Sequence, residues 1–264
     1  MKYIDIHSHI FPDNIAGKVV HELESYYGTP WDGTGEQRDL LESLNAVPVD
    51  RSVIFSSATK PQQVESINNY IAGLVKQFPD RFIGFGTMHQ DYTNYKDELR
   101  RIRELGLRGL KFHPDFQRFH VDDPRMMKIY EEAGDSLVLL FHIGDRNTDF
   151  SSPYRLARVL RDLPGLKIVA AHMGGYSEWE QAWEHLVGKD VWFDTSSTMP
   201  MLPPEEARRM ALAHGTDRIL FGSDYPAAHH RKAIAQTLDI GLSEEDNEKV
   251  FYKNAEKLLG ITLP

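Results

Sequence analysis

The stretch YIDIHSH at residues 3–9 is a short apolar run of β-strand character that ends in a His-x-His pair. Alternate residues of a strand project from the same face, so His7 and His9 can present two imidazoles to one ion. A second apolar run, RILFGSD at residues 218–224, ends in the carboxylate of Asp224. Neutral imidazoles and carboxylates are ligands of Zn²⁺ and related divalent ions, so the two runs together indicate a metal site.

The composition bounds the possible functions. The chain has 264 residues, of which 41% are hydrophobic and 26% charged, an ordinary globular mixture that suits one domain over residues 1–264. A net charge of −9 argues against nucleic acid, whose phosphates need neutralisation. The absence of cysteine excludes thiolate ligands, whereas twelve histidines remain available. We see no signal peptide and no apolar run of membrane-spanning length, so we expect a cytoplasmic protein.

Short apolar runs alternate with longer charged segments along the chain. The predicted strands are Tyr3–His7, Arg51–Ser56, Phe82–Met88, Gly109–His113, Val138–Ile143, Lys167–His172, Val191–Ser196 and Ile219–Asp224. Several are almost continuously apolar, as expected for parallel strands that are buried on both faces. The predicted helices between and after them are Gln62–Gln77, Tyr95–Leu105, Arg125–Ala133, Tyr154–Asp162, Glu178–Leu186, Pro204–His214, His230–Leu238 and Glu244–Leu259.

Eight such units in about 250 residues favour a (β/α)₈ barrel over an open doubly wound sheet. No G-x-G-x-x-G follows the first strand, which argues against a dinucleotide-binding domain. The segment 10–45 is longer than an ordinary crossover, and we interpret it as an insertion with a helix, a glycine-rich excursion and a second helix. It is either a lid beside the site or a surface insertion.

Polar residues recur where the predicted strands end. These residues are His7, His9, Lys111, His113, His142, His172, Asp194 and Asp224. Active sites of (β/α)₈ barrels form at the carboxyl ends of the strands, so these side chains are expected to converge. A single histidine after an apolar run is most simply a core residue bonded to a backbone carbonyl, but the repetition favours a metal site. Asp194 is expected to support a ligand, whereas His89, His229 and His230 are interpreted as peripheral.

Five motifs carry a resemblance to the amidohydrolase superfamily, in its amidohydrolase-related branch. They are DIHSHIFP at 5–12, GLKFHP at 109–114, FH at 141–142, AHMGG at 171–175 and LFGSDYP at 220–226. The chain resembles the branch in motif order over nearly its whole length. The branch contains hydrolases, decarboxylases and hydratases, so the resemblance does not select a substrate.

The resemblance implies that His7, His9, His142 and Asp224 bind one Zn²⁺ or another divalent ion such as Mn²⁺. It also implies catalytic roles for Asp224, as the acid–base residue, and for His172, as a group that polarises a carbonyl or stabilises an oxyanion. An alternative is a binuclear centre bridged by a carbamylated Lys111. Unmodified, Lys111 is expected to face a substrate carboxylate.

The candidate substrate-binding residues are Lys111, His113, Arg118 and Arg146, since a guanidinium or ammonium group can bind a carboxylate. The main expectation is a metal-dependent hydrolase acting on a small carbonyl compound, with a metal-activated water as nucleophile. The first alternative is a nonoxidative decarboxylase of a small unsaturated or aromatic carboxylic acid, and the second is a non-catalytic metal-binding barrel. We expect a small-molecule substrate, no nucleic-acid or membrane partner, and a possible homodimer.

Overall fold

The computed structural model describes residues 1–199 and 201–263. Within them, eight parallel strands follow one another around a single sheet in chain order. They are β1 (Ile4–His9), β2 (Arg51–Phe55), β3 (Phe82–Gly86), β4 (Gly109–Phe112), β5 (Val138–Phe141), β6 (Ile168–Ala170), β7 (Trp192–Asp194) and β8 (Ile219–Leu220). The amide of Ile6 donates to the carbonyl of Phe221 at 2.9 Å, and Ser8 forms a parallel bridge with Tyr225, which closes the barrel. The predicted (β/α)₈ fold is confirmed.

Helices surround the barrel. They are α1 (Asp13–Tyr27), α2 (Gln37–Asn45), α3 (Val64–Gln77), α4 (Tyr95–Glu104), α5 (Pro114–Gln117), α6 (Pro124–Ala133), α7 (Pro153–Asp162), α8 (Trp179–His185), α9 (Pro204–His214), α10 (His230–Asp239), α11 (Glu244–Glu248) and α12 (Asn254–Leu259). A π-helical turn, Lys249–Lys253, joins α11 to α12. Within the described ranges, no helix is both long and apolar enough to cross a membrane.

Alternating residues of the strands build two apolar layers. Side chains such as Val53, Phe85 and Leu140 form the inner layer, which Leu258 and Leu259 of α12 join. Their strand neighbours, including Ile54 and Leu139, pack in a larger outer layer with the surrounding helices. This double burial explains why the strands read as continuous apolar runs.

The last three strands are shorter than the sequence predicts. The predictions extended them to His172, Ser196 and Asp224, whereas β6 ends at Ala170, β7 at Asp194 and β8 at Leu220. His172 and Asp224 have φ values of 61° and 60°, in the left-handed region, which a strand cannot contain. The chain therefore leaves the sheet just before these side chains.

Strand β1 contains an irregularity beside the His-x-His pair. Asp5 pairs with Ser52 and Ser8 pairs with Ile54, so three steps along β1 correspond to two steps along β2. One extra residue in a strand is the signature of a β-bulge, which re-aims the side chains that follow it. The regular alternation assumed from the sequence is therefore broken between Asp5 and Ser8.

Candidate metal centre

Side chains from the first strand and from the segment that follows the last strand lie together in one cluster of possible ligand atoms. His7 Nε2 lies 3.3 Å from His9 Nε2, and Asp224 Oδ1 lies 3.1 Å from the first nitrogen and 3.5 Å from the second. These donor atoms are close enough together to bind one ion. Burial, with help from the nearby charges of Lys111 and His7, lowers the pKa of His9 to about 4. The His9 imidazole is therefore neutral and able to act as a ligand.

Asp194 fixes the orientation of His7. Its Oδ2 atom lies 2.8 Å from His7 Nδ1, and both side chains are fully buried. Burial and Lys111 lower the pKa of His7, but Asp194 and Asp224 outweigh them and raise it. In the tautomer that donates from Nδ1 to Asp194, the Nε2 lone pair faces Lys111 and Asp224 and is available to a cation. A carboxylate behind a histidine ligand is a recurring support in metal sites.

His142 and His172 present a second pair of facing nitrogens. His142 Nδ1 lies 2.9 Å from His172 Nε2. The opposite nitrogen of each ring faces a carbonyl, His142 Nε2 that of Gly144 and His172 Nδ1 that of Ser196, both at 2.9 Å. Carbonyls only accept hydrogen bonds, so the tautomers that donate to both carbonyls direct a lone pair of each ring towards the other. Burial, followed by neighbouring positive charge, lowers the pKa of His142 well below its usual range.

These observations fit a divalent ion. Inward lone pairs on several neutral imidazoles beside the Asp224 carboxylate are the donor set of a zinc or manganese site. The tight cluster consists of His7, His9 and Asp224. His142 Nδ1 faces His172, whose ring lies 5.2 Å from that of His7. The role of His142 as fourth ligand stays a prediction.

A second group of possible ligands consists of the buried residues Asp115, His142 and Asp145. It would use His142 Nε2, whose proton is bonded to the carbonyl of Gly144. This bond leaves Nε2 without a free lone pair, so the arrangement favours the first cluster as the ion site.

Lys111, which was predicted from the sequence to bind the substrate, lies beside the cluster of His7, His9 and Asp224. Its Nζ atom is 3.0 Å from His7 Nε2 and 4.9 Å from the centre of the Phe55 ring, and the side chain is fully buried. Burial lowers the pKa of Lys111 to about 8, although Asp224 and Asp194 oppose the shift. Lys111 thus places a titratable amine beside the candidate ligands.

Asp224 is held from several sides. Its backbone amide donates to the carbonyl of His7 at 2.9 Å, and the hydroxyl of Ser197 donates to Oδ2. Burial would raise the pKa of Asp224, but the charge and hydrogen bonds of His7 and His9 lower it well below its usual range. Its left-handed backbone costs about 1 kcal/mol for a residue other than glycine, so these contacts also maintain the conformation.

The insertion between β1 and β2 reaches the candidate site through Tyr27. The Tyr27 hydroxyl lies 3.0 Å from His113 Nε2, which places both residues beside His142, whose ring stacks on His113 at 4.1 Å. The Tyr27 ring also packs at 5.4 Å against Tyr176, which lies 5.4 Å from His172. Tyr27 was not among the predicted site residues, because local patterns do not show where a long insertion folds back.

The two candidate arginines lie on the exposed surface. Arg118 ends α5 in a left-handed conformation. Arg146 lines an open depression of about 510 Å³ together with Ser177, Trp179 and Met201. Substrate binding by either arginine stays a prediction.

Sequence reasoning missed one buried group beside the cluster. The sequence assigned His230 to the periphery, but its Nε2 atom lies 2.9 Å from Oδ2 of Asp5, and both side chains are fully buried. Burial would raise the pKa of Asp5, but His230 and the hydroxyls of Ser223 and Ser8 lower it. Asp5 stands two positions before His7, and this proximity was the available signal.

Comparison with known proteins gives the family context. A curated relative, the 2-amino-3-carboxymuconate-6-semialdehyde decarboxylase of Dictyostelium discoideum, is 25% identical over 341 aligned residues, which cover 98% of this chain and 91% of the relative. An uncharacterized TIM-barrel protein from Bordetella bronchiseptica superposes with a TM-score of 0.79 at 19% identity, covering 98% of this chain and 99% of that one.

A dihydroxybenzoic acid decarboxylase from Polaromonas sp. JS666, solved with bound manganese and 2-nitroresorcinol, superposes with a TM-score of 0.74 at 16% identity. The match covers 98% of this chain and 97% of that one. The family model described as amidohydrolase matches residues 4–261. With the barrel and the cluster at its carboxyl end, this match shows that the chain belongs to the amidohydrolase family of enzymes.

Proposed function

We propose that this protein is a divalent-metal-dependent, nonoxidative decarboxylase of a small unsaturated or aromatic carboxylic acid. The observation that carries the proposal is the similarity to the Dictyostelium decarboxylase, which extends over nearly the whole of both chains. The main expectation from the sequence was hydrolysis. The relative's activity supports the decarboxylase alternative better, and the candidate ligands are common to both reactions.

The residues that would hold the ion are His7, His9, His142 and Asp224, with zinc or manganese as the proposed metal and one ion per chain. Bound there, the ion supplies positive charge that stabilises the charge developing on substrate oxygens. Lys111, 3.0 Å from His7 Nε2, adds a second positive group for a substrate carboxylate. His172 is placed to donate or accept a hydrogen bond beside the same position.

Decarboxylation breaks the carbon–carbon bond to the carboxylate, leaves the electron pair on the remaining carbon, and replaces carbon dioxide with a proton. Asp224 is the residue proposed to relay that proton from a water molecule to the carbon. Its carboxylate, whose pKa is lowered, is fixed by the Ser197 hydroxyl at Oδ2 and faces the histidines with Oδ1. The neighbouring rings of Tyr27 and Tyr176 form an apolar wall that suits a planar, conjugated acid.

The test begins with metal analysis of the purified protein, followed by reconstitution with zinc or manganese. Unsaturated and aromatic carboxylic acids would then be screened for release of carbon dioxide, and lactones and amides for hydrolysis. We expect carbon dioxide release that depends on the metal. Hydrolysis of a lactone or amide without carbon dioxide release would restore the hydrolase interpretation and overturn the proposal.

A further inference from the structure

Asp5 is a buried carboxylate that belongs neither to the candidate ligands nor to the hydrophobic core. Its Oδ1 atom accepts hydrogen bonds from the amides of His7 at 2.9 Å and Ser223 at 3.0 Å. Its Oδ2 atom accepts from the hydroxyls of Ser8 and Ser223, at 2.5 and 2.7 Å, and faces His230 Nε2. A buried anion is costly unless its lone pairs are used, and here five groups use them.

The bond to the His7 amide coincides with the bulge in β1. The extra residue lies between Asp5 and Ser8, where ladder pairing is interrupted. A bulge leaves backbone groups unpaired, and a buried unpaired amide costs roughly 1–3 kcal/mol. The carboxylate of Asp5 supplies the acceptor for the His7 amide, so it stabilises the irregular backbone from which both histidine ligands project.

The Oδ1 atom of Asp5 also accepts a hydrogen bond from the segment that follows β8, on the other side of the junction between β1 and β8. Ser223 immediately precedes Asp224, whose left-handed backbone must be maintained by its surroundings. The Asp5 carboxylate therefore accepts hydrogen bonds both from the amide of His7 and from the amide of Ser223, the residue before Asp224. His7 and Asp224 supply ligand atoms only 3.1 Å apart.

We propose that Asp5 is a positioning residue of the metal centre, which holds the β1 bulge and the Ser223–Asp224 turn in the geometry that brings His7 and Asp224 to one ion. His230 connects it to the insertion, because His230 Nδ1 lies 2.8 Å from the hydroxyl of Ser43 in α2. This inference rests on the proposed metal site and concerns residues that do not bind the ion themselves.

The test compares Asp5→Asn with Asn254→Ala as a matched control. Asn254 is also buried and donates to the carbonyls of Thr216 and Ile219, which fastens the opposite end of β8. Zinc affinity would be measured by competition with a chelating dye, and the site geometry by the visible spectrum of the cobalt-substituted protein. Circular dichroism would establish that each variant is folded.

We expect Asp5→Asn to weaken zinc binding by roughly the 10–100-fold typical of losing a partner that orients ligands, and to alter the cobalt spectrum. Asn254→Ala should bind zinc as the parent does, even where its thermal midpoint falls. Parental affinity and spectrum in Asp5→Asn would overturn the inference. An equal loss of affinity in both variants would overturn it too, because affinity would then follow general stability.

If Asp5→Asn does not fold, Ser223→Ala takes its place as the test. This variant removes the hydroxyl that donates to Asp5 and leaves the proposed metal ligands intact. A smaller loss of affinity with a shifted cobalt spectrum supports the inference, and unchanged values overturn it. His7→Ala separates the two proposals. If the parent binds zinc and His7→Ala does not, the proposed metal site is supported, and this result does not depend on the behaviour of Asp5→Asn. A parent that binds neither zinc nor manganese would overturn both proposals.

Discussion

His142 Nδ1 and His172 Nε2 face each other at 2.9 Å, and the tautomers that donate to the carbonyls behind both rings place no proton between them. Two lone pairs at this distance repel each other, unless a cation lies nearby or one ring gives up its carbonyl. Substituting each histidine of this pair separately therefore shows which of the two binds the metal.

We predict different consequences for the two histidines. His142→Gln should lose more metal affinity than the roughly 10–100-fold typical of removing a supporting partner, since it deletes a ligand. His172→Gln should bind metal within a few-fold of the parent but lose turnover by about 10²-fold or more, the loss expected for a positioned catalytic group. Equilibrium metal titration and steady-state kinetics on both variants would check this. The reverse pattern would exchange the two roles.

Asp224→Asn keeps the shape of the side chain but removes its charge and its ability to carry a proton. We expect turnover to fall by at least about 10²–10⁴-fold in metal-loaded protein, because a positioned proton-transfer group is lost. The fold should persist, since the barrel layers do not depend on this side chain. Asp162→Asn is the control, because Asp162 lies at the exposed end of α7. Near-parental turnover with metal bound would assign proton transfer to another group, first of all His172.

Tyr27 tests whether the insertion forms part of the substrate site. Tyr27→Phe removes only the hydroxyl that contacts His113, whereas Tyr27→Ala also removes the ring that packs against Tyr176. We expect Tyr27→Ala to raise KM for a planar acid by about tenfold or more, the loss of roughly 1.4 kcal/mol of stacking and burial. Tyr27→Phe should change KM less. Equal, parental KM values in both variants would show that the insertion does not contact the substrate.

We predict that His214, the last residue of α9, makes the free energy of unfolding depend on pH. This effect is separate from the candidate metal centre. The His214 Nε2 atom donates to the carbonyl of Val191 and its Nδ1 atom accepts from the amide of Gly188, while the ring stacks on Phe193. Burial lowers the pKa of His214 to about 4, against the opposing effect of the bond to Val191. A protonated ring would lose its acceptor for Gly188, so the folded state prefers the neutral form.

The sign follows from this preference. The unfolded chain takes up the proton near pH 6.5 and the folded protein only near pH 4, so the contribution is complete above pH 6.5 and is lost as the pH falls towards 4. Its upper bound is roughly 3 kcal/mol. The stability difference between parent and His214→Gln, from urea unfolding, should therefore shrink over this window. His185→Gln, at a half-exposed position, is the control. A constant difference would contradict the prediction.

The alternation of apolar runs and helical segments was sufficient to predict the barrel. The helix Pro204–His214 has the predicted bounds, and α1 and α2 appear where a helix, a glycine-rich excursion and a second helix were expected. Histidines directly after apolar runs predicted side chains that the structure brings together, because parallel strands all end on the same side of a barrel. These signals are local, so a single sequence contains them.

The remaining features depend on contacts between distant parts of the chain. The turns at His172 and Asp224 use left-handed backbone at residues other than glycine, which no propensity predicts. The pairing of Asp5 with His230 and the approach of Tyr27 to His113 need the folded barrel to bring remote segments together. A pattern read along the sequence treats these residues as unrelated.

The seam at which β1 meets the end of β8 has a thermodynamic consequence. His7 and Asp224 come from opposite ends of the barrel sequence, so an ion that binds both recognises only the closed barrel. Mass action then converts metal affinity into folding free energy, about 2.7 kcal/mol at a free metal concentration one hundred times Kd. The ion would therefore stabilise the junction of the first and last strands, and the free metal concentration would set the size of this contribution to the free energy of unfolding.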